Sequence, residues 1–219
     1  TFPVPQELGG SSRADFGAFQ TIEKLISGKK TVVEIKNDCN DCVYIACAMG
    51  QALHHSNEKF QKLRHSLKMR WSRKGKKPIA EVENLKAKHR LLLGAVEFEA
   101  DQPLSEVALP SLEEAINCQI VIFDGQKMIN EYAFPRSGSF EDIIYYHDSS
   151  RNNLPRICML KDGGHVHFVK VPEGLLAAEQ ICWQCRQVHN KHNKHECGVQ
   201  HTIHNQGYER SSIKPITGD

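Results

Sequence analysis

Apolar positions follow one period in the first half of the chain and another in the second. From Cys42 to about His54 they crowd every side of a 3.6-residue repeat (Val43, Tyr44, Ile45, Ala46, Cys47, Ala48, Met49). This predicts a central, buried helix. A second helix is expected over Asn57–Trp71 and a third over Ile79–Leu93. Ser111-Leu112-Glu113-Glu114 matches a capping box and should open a short helix after Pro110. Upstream, Thr31–Lys36 alternates as a short strand. Beyond residue 118 the pattern shortens. Gln119–Phe123 reads as a strand turned by Asp124-Gly125, followed by strands over Lys127–Phe134, Asp142–Tyr146, Ile157–Leu160 and Val166–Val171. Helices first and an antiparallel sheet second predict an α+β fold, with the cysteine-bearing helix packed on the sheet.

Composition narrows this only slightly. Residues 1–20 are rich in Pro, Gly and Ser without periodicity, so residues 1–30 are expected to form a loosely ordered leader. The main domain is then expected over 31–178, a small finger over 179–206 and a tail over 207–219. The chain opens on Thr1 and shows no signal-peptide pattern, as an excised piece of a longer polypeptide would. A net charge of +2 gives no compositional argument for a nucleic-acid partner. No apolar run approaches the roughly 18 residues of a membrane span. The basic stretch from Lys62 to Lys77 reads as a solvated helix end and loop. Six of the eight cysteines fall in two clusters: Cys39, Cys42 and Cys47, then Cys182, Cys185 and Cys197. Clustering of this kind favours metal and catalytic uses in a reducing compartment, cytoplasmic or nuclear. Cys118 and Cys158 stand on apolar stretches, as ordinary buried thiols do.

The chemistry concentrates at two segments. Cys42 sits where the polar run Asn37–Asp41 stops and the apolar helix starts. A helix N-terminus lowers a thiol's pKa, and a nearby imidazole can take its proton. His165 follows Gly163-Gly164 at the mouth of an apolar strand and is the expected base, with His167 on the same strand face as its competitor or neighbour. Asn37 could place an amide beside the thiol and complete an oxyanion hole with the Cys42 backbone N–H. Cys39 lies inside the turn and Cys47 in mid-helix, where nothing activates a thiol. A group orienting the imidazole is harder to find. Asp162, Asp124 and Asn190 are the candidates, and a dyad without a third member stays open.

Asn37-x4-Cys42 ahead of a helix resembles the ubiquitin-specific protease pattern, in which that Asn lines the oxyanion hole. The wider run is similar to the papain-fold deubiquitinases of the ovarian-tumour and viral-tegument-like groups. It also resembles the cysteine-protease-like region ahead of the polymerase in large self-synthesising DNA transposons. The matching residues are Asn37 and Cys42, Gln119–Phe123, His165–Lys170, Leu175-Leu176, and Cys182 with Cys185, within about residues 31–201. Val43 and Val166 stand where those families usually carry an aromatic, and Gly163 replaces the Asp of the tegument-type Asp-x-His. The resemblance implies a papain-like cysteine protease that hydrolyses isopeptide bonds of ubiquitin or a ubiquitin-like protein. Cys42, His165, Asn37 and Asp162 would be its catalytic residues.

Cys182-Trp183-Gln184-Cys185 is followed by His189, His192, His195, Cys197, His201 and His204. A CxxC knuckle with later His and Cys is a structural-zinc signature. Cys182, Cys185, Cys197 and His201 are the expected Zn2+ ligands, with His192 or His195 beside Cys197 as other ways to close the site. The alternative function is a catalytically inactive, zinc-bearing nucleic-acid module of a mobile-element or viral polyprotein.

Overall fold

The computed structural model describes residues 21–36, 40–71, 79–93, 106–130, 138–190, 195 and 197. Helix α1 (Ile22–Gly28) opens on Thr21, whose side chain accepts the Lys24 N–H at 3.3 Å, and buries Leu25. Part of the expected leader is therefore a capped helix committed to the core, while residues 1–20 lie outside the described residues. Strand β1 is only Val32–Val33, shorter than the alternation of Thr31–Lys36 predicts. Helix α2 (Cys42–His55) buries every residue from Cys42 to Gly50, the all-round burial its pattern predicts. Ser56 ends α2 through its N–H to the Ala52 carbonyl and starts α3 (Asn57–Trp71) by accepting the Lys59 N–H on its hydroxyl. One stripe of α3, Phe60, Leu63 and Leu67, faces the core. On α4 (Ala80–Leu93) the buried stripe is Val82, Leu85, Lys86 and His89, two of its four members polar.

Helix α5 (Leu109–Ile116) begins two residues before Ser111, with Pro110 in its first turn. The expected capping box does not form. The Ser111 hydroxyl donates to the Ala108 carbonyl, and Glu113 turns inward, where it accepts from the Ile120 N–H and the Tyr146 hydroxyl. Strand β2 (Gln119–Asp124) runs into helix α6 (Gly125–Asn130), which takes up residues 127–130 of the strand expected over Lys127–Phe134, while 131–134 lie outside the described residues. Asp124 accepts the N–H groups of Gln126 and Lys127, so the Asp-Gly pair caps a helix where a hairpin was expected. Strands β3 (Gly138–Ser139), β4 (Ile144–His147), β5 (Arg156–Asp162) and β6 (His165–Val169) follow, then the single turn α7 (Pro172–Leu175), β7 (Gln180–Cys182) and β8 (Gln187–His189).

The main sheet has the order β1-β6-β5-β2-β4. It is mixed: β2 and β5 run parallel from Gln119↔Arg156 to Asp124↔Lys161, and the other pairs are antiparallel. The fold is α+β as expected, with that one parallel pair as the departure from an antiparallel sheet. Both central strands are almost wholly buried because both faces are covered. Ile120, Ile122, Ile157, Met159, Val166 and Phe168 pack under α2–α5. Val121, Phe123, Cys158, Leu160 and Val169 pack with Leu25, Met128, Phe140, Leu175 and Leu176 on the other side. The expected finger is joined to this second layer. β7 and β8 pair with β3 as a small sheet, and Trp183 stacks edge-on against Phe140 at 5.6 Å and beneath the Arg156 guanidinium at 5.0 Å.

Helix α2 meets β5 at Gly50, where a Cβ would lie 2.6 Å from Ile157 Cγ1. Gly50→Ala is expected to destabilise the fold by about 1–3 kcal/mol through overpacking, read from the urea midpoint; Gly164→Ala, with open space around it, should cost far less.

Candidate active site and metal cluster

The β5–β6 hairpin closes with Asp162 directly opposite His165, leaving Gly163-Gly164 as a two-residue turn. Gly163 carries a φ of +56°, which glycine adopts without strain. This tight turn fixes His165 as the first residue of β6. Cys42 is the first residue of α2, immediately after the N-cap residue Asp41. The fold brings the two together: the Cys42 thiol is the largest single influence on the protonation of the His165 imidazole. The sulfur therefore lies at the positive end of a buried helix whose first internal bond runs from Ile45 N–H to the Asp41 carbonyl at 2.8 Å.

His165 is held from its far side by main chain. Its Nε2–H donates to the Ile35 carbonyl at 2.7 Å, which leaves Nδ1 to receive the thiol proton. The Cys42 thiol raises the imidazole's pKa above its ordinary value, aided by the Ile35 carbonyl and the Asp162 charge and opposed by burial. Asp162 acts as a neighbouring charge from across the hairpin, and the orienting group is the Ile35 carbonyl. Asp124 is occupied in capping α6. Asn37 and Cys39 lie outside the described residues.

His167 is the partner of the same backbone unit. Its Nδ1 accepts the Ile35 N–H at 3.2 Å, and its ring meets that of His165 edge-on with centroids 4.9 Å apart. Beyond Val33 the chain leaves the β6 ladder, and the two histidine side chains take over both polar groups of Ile35. A cleft of about 980 Å³ opens beside them, bordered by residues 32–36, α1 and the Arg64 and Lys68 positions of α3. Burial, and secondarily the neighbouring His165, depress His167 to about 4.

Two polar supports of α2 were not anticipated from the sequence. Lys86 Nζ lies 2.5 Å from Asp41 Oδ1, with the two side chains only 7% and 9% exposed. His89, fully buried, accepts the Tyr44 hydroxyl on Nδ1 at 2.9 Å and donates from Nε2 to Ser111 Oγ at 2.7 Å. The direction follows because the Ser111 hydroxyl proton is already given to the Ala108 carbonyl. The available signal was the polar pair Lys86 and His89 on an otherwise apolar stripe. The other buried thiols have no such setting: burial pushes Cys47 far up, Cys118 to about 11 and Cys158 to about 12.

At the other end of the chain, Cys182, Cys185, His195 and Cys197 place their donor atoms within 4.8 Å of one another and could hold a metal ion. Cys182 ends β7 and Cys185 lies in the turn to β8, where Arg186 takes a left-handed φ of +54°. The Arg186 guanidinium is tied to Glu141 at 2.6 Å. Three of the four expected ligands are present, and His195 occupies the fourth position; His201 lies outside the described residues. His189 stacks on His195 at 3.7 Å. Among the described residues no helix is long and apolar enough to cross a membrane. Comparison with protein-family models, with curated proteins and with solved structures finds no match to this chain.

His167 titrates at about 4 in the folded chain, against an ordinary 6.5 when unfolded. The unfolded chain therefore binds the extra proton between those values. The stabilisation is complete above about pH 6.5 and is lost as pH falls toward 4. His167→Gln, which can still accept the Ile35 N–H, is expected to flatten the loss of stability over that window by about 3 kcal/mol relative to the parent, measured by urea denaturation at stepped pH.

Proposed function

We propose that this chain is a thiol-dependent hydrolase, a cysteine protease of papain-like arrangement acting on ubiquitin or a ubiquitin-like protein. The observation that carries the reading is the juxtaposition of Cys42, at the head of a buried helix, with His165, whose imidazole is oriented by the Ile35 carbonyl. Such a pair supports covalent catalysis on an acyl group. The Cys42 sulfur attacks the scissile carbonyl as its proton passes to His165. The carbonyl oxygen takes the negative charge beside the helix N-terminus, where the Cys42 N–H and Asn37 are the expected donors. His165 returns its proton to the leaving amine as the C–N bond breaks and a thioester forms. His165 then draws a proton from water, which opens the thioester and frees the thiol. The cleft beside His165 is the natural approach for an extended tail. The choice of ubiquitin rests on the resemblance of the Asn37–Cys42 and His165–Lys170 segments.

A ubiquitin probe ending in a thiol-reactive electrophile is expected to label the chain at Cys42. Cys42→Ala should abolish the adduct and reduce peptide or isopeptide hydrolysis by about 10³-fold or more, and Cys47→Ala should retain both. A chain that never labels, yet binds DNA in a salt-sensitive manner dependent on Cys182 and Cys185, would instead be the inactive nucleic-acid module.

The metal in the Cys182, Cys185, His195 and Cys197 cluster is proposed to be Zn2+. Three thiolates and an imidazole are soft-to-borderline donors in the number a closed tetrahedral zinc site uses, with no position left for substrate. Its role is then structural, holding the β7–β8 turn and Trp183 against Phe140. Elemental analysis of the purified chain is expected to find about one zinc per chain. Cys185→Ser and His195→Ala should lose it and lower the melting temperature, while His201→Ala should keep it.

A further inference from the structure

Lys86 occupies a position on the inner stripe of α4 where Val82 and Leu85 are its neighbours and an aliphatic side chain would serve. A buried ion pair is a poor device for stability, because desolvating both charges costs as much as their attraction returns. Its geometry suggests another use. Asp41 is the N-cap residue of α2, and a carboxylate there ordinarily accepts the free N–H groups of the first turn. Here the Asp41 side chain makes no capping bond; Oδ1 is drawn 2.5 Å from Lys86 Nζ instead. Lys86 is itself steadied by Glu83 Oε1 at 3.4 Å and by the face of the Tyr44 ring at 5.9 Å.

We propose that Lys86 is a positioning residue for the Cys42 thiol: it holds and neutralises the Asp41 carboxylate so that the positive end of α2 remains available to a thiolate at Cys42. This extends the thiol-hydrolase reading and rests on it. A carboxylate released from Lys86 would either cap the first turn or stand unpaired one residue from the sulfur. In both places it would disfavour a second negative charge. Among the described residues, the ionisable groups toward the thiol are His165 on β6, with Asp162 and His167 around that imidazole, and Tyr44 on α2 itself, which also senses the Asp41 charge. Glu34 and Lys36 flank Ile35, paired with each other at 3.2 Å.

The test is the pH dependence of carboxamidomethylation at Cys42, followed by peptide mass spectrometry on the folded full chain. The thiolate displaces iodide from iodoacetamide, an S–C bond forming as C–I breaks, so the rate reports the thiolate fraction. The parent midpoint is the reference. Lys86→Met should raise it by about one unit, a ~10-fold slower reaction at pH 7. Asp41→Asn should not raise it. Asp41→Asn combined with Lys86→Met, which leaves neither charge, should return it toward the parent value. A folded Lys86→Met with the parent midpoint overturns the proposal, as does a rise in Asp41→Asn, which stays informative if Lys86→Met does not fold. A double variant no better than Lys86→Met overturns it too. A parent in which neither iodoacetamide nor the ubiquitin probe modifies Cys42 fails earlier, removing the thiol-hydrolase reading and this extension together.

Discussion

The structure depends on burying the first turn of α2. A helix that is apolar on every side must be enclosed, but its N-terminus carries polar groups that burial penalises unless each finds a partner. The surrounding elements supply them. From α4 come Lys86 for Asp41 and His89 for the Tyr44 hydroxyl; from β6 comes His165 for Cys42. Ser111 of α5 completes the chain of donors behind His89. The polar residues on the inner stripe of α4 follow from this demand, as does the arrival of β6 with its first residue against the helix end. Packing farther along α2 is conventional: Gly50 lets the helix sit close on Ile157, and Phe60 of α3 meets Phe168 at 5.8 Å.

The sheet edge answers a related demand. β1 is too short to pair all the way to the loop before α2, so Ile35 would lose its ladder partners at a nearly buried position. His165 and His167, on one face of β6, replace them. Structural and chemical roles coincide here, since the contact that satisfies the Ile35 carbonyl also fixes which nitrogen of His165 faces the sulfur. Glu113 shows the same economy at another junction, where one buried carboxylate binds the Ile120 N–H, the Tyr146 hydroxyl and Arg151.

The sequence displayed the features that local periodicity and residue type control. The bounds of α2, α3 and α4 followed from their apolar stripes and from Ser56 between the first two. Cys42, His165 and the Cys182–Cys185 knuckle were visible from residue type at an element boundary. Features set by distant pairing were not. The parallel alignment of β2 with β5 has no local signature, because a buried strand of either sense is a short apolar run. Asp124-Gly125 carries the same two residues whether it turns a hairpin or caps a helix. Ser111 and Glu114 matched a capping box, but α5 starts two residues earlier and the Ser111 hydroxyl is committed to His89 and the Ala108 carbonyl. The choice of His195 depends on the path of a histidine-rich segment that spacing alone could not resolve.

The orienting group for His165 belongs to the peptide unit of Ile35 and to no side chain. Every amino acid placed at that position brings the same carbonyl, so alanine scanning would leave it untouched. Drift in sequence could likewise exchange Ile35 for another apolar residue without erasing the contact. A catalytic aspartate or asparagine leaves a trace that comparison of relatives can find. A main-chain acceptor leaves none, and its presence is recorded only in the course the backbone takes between β1 and α2.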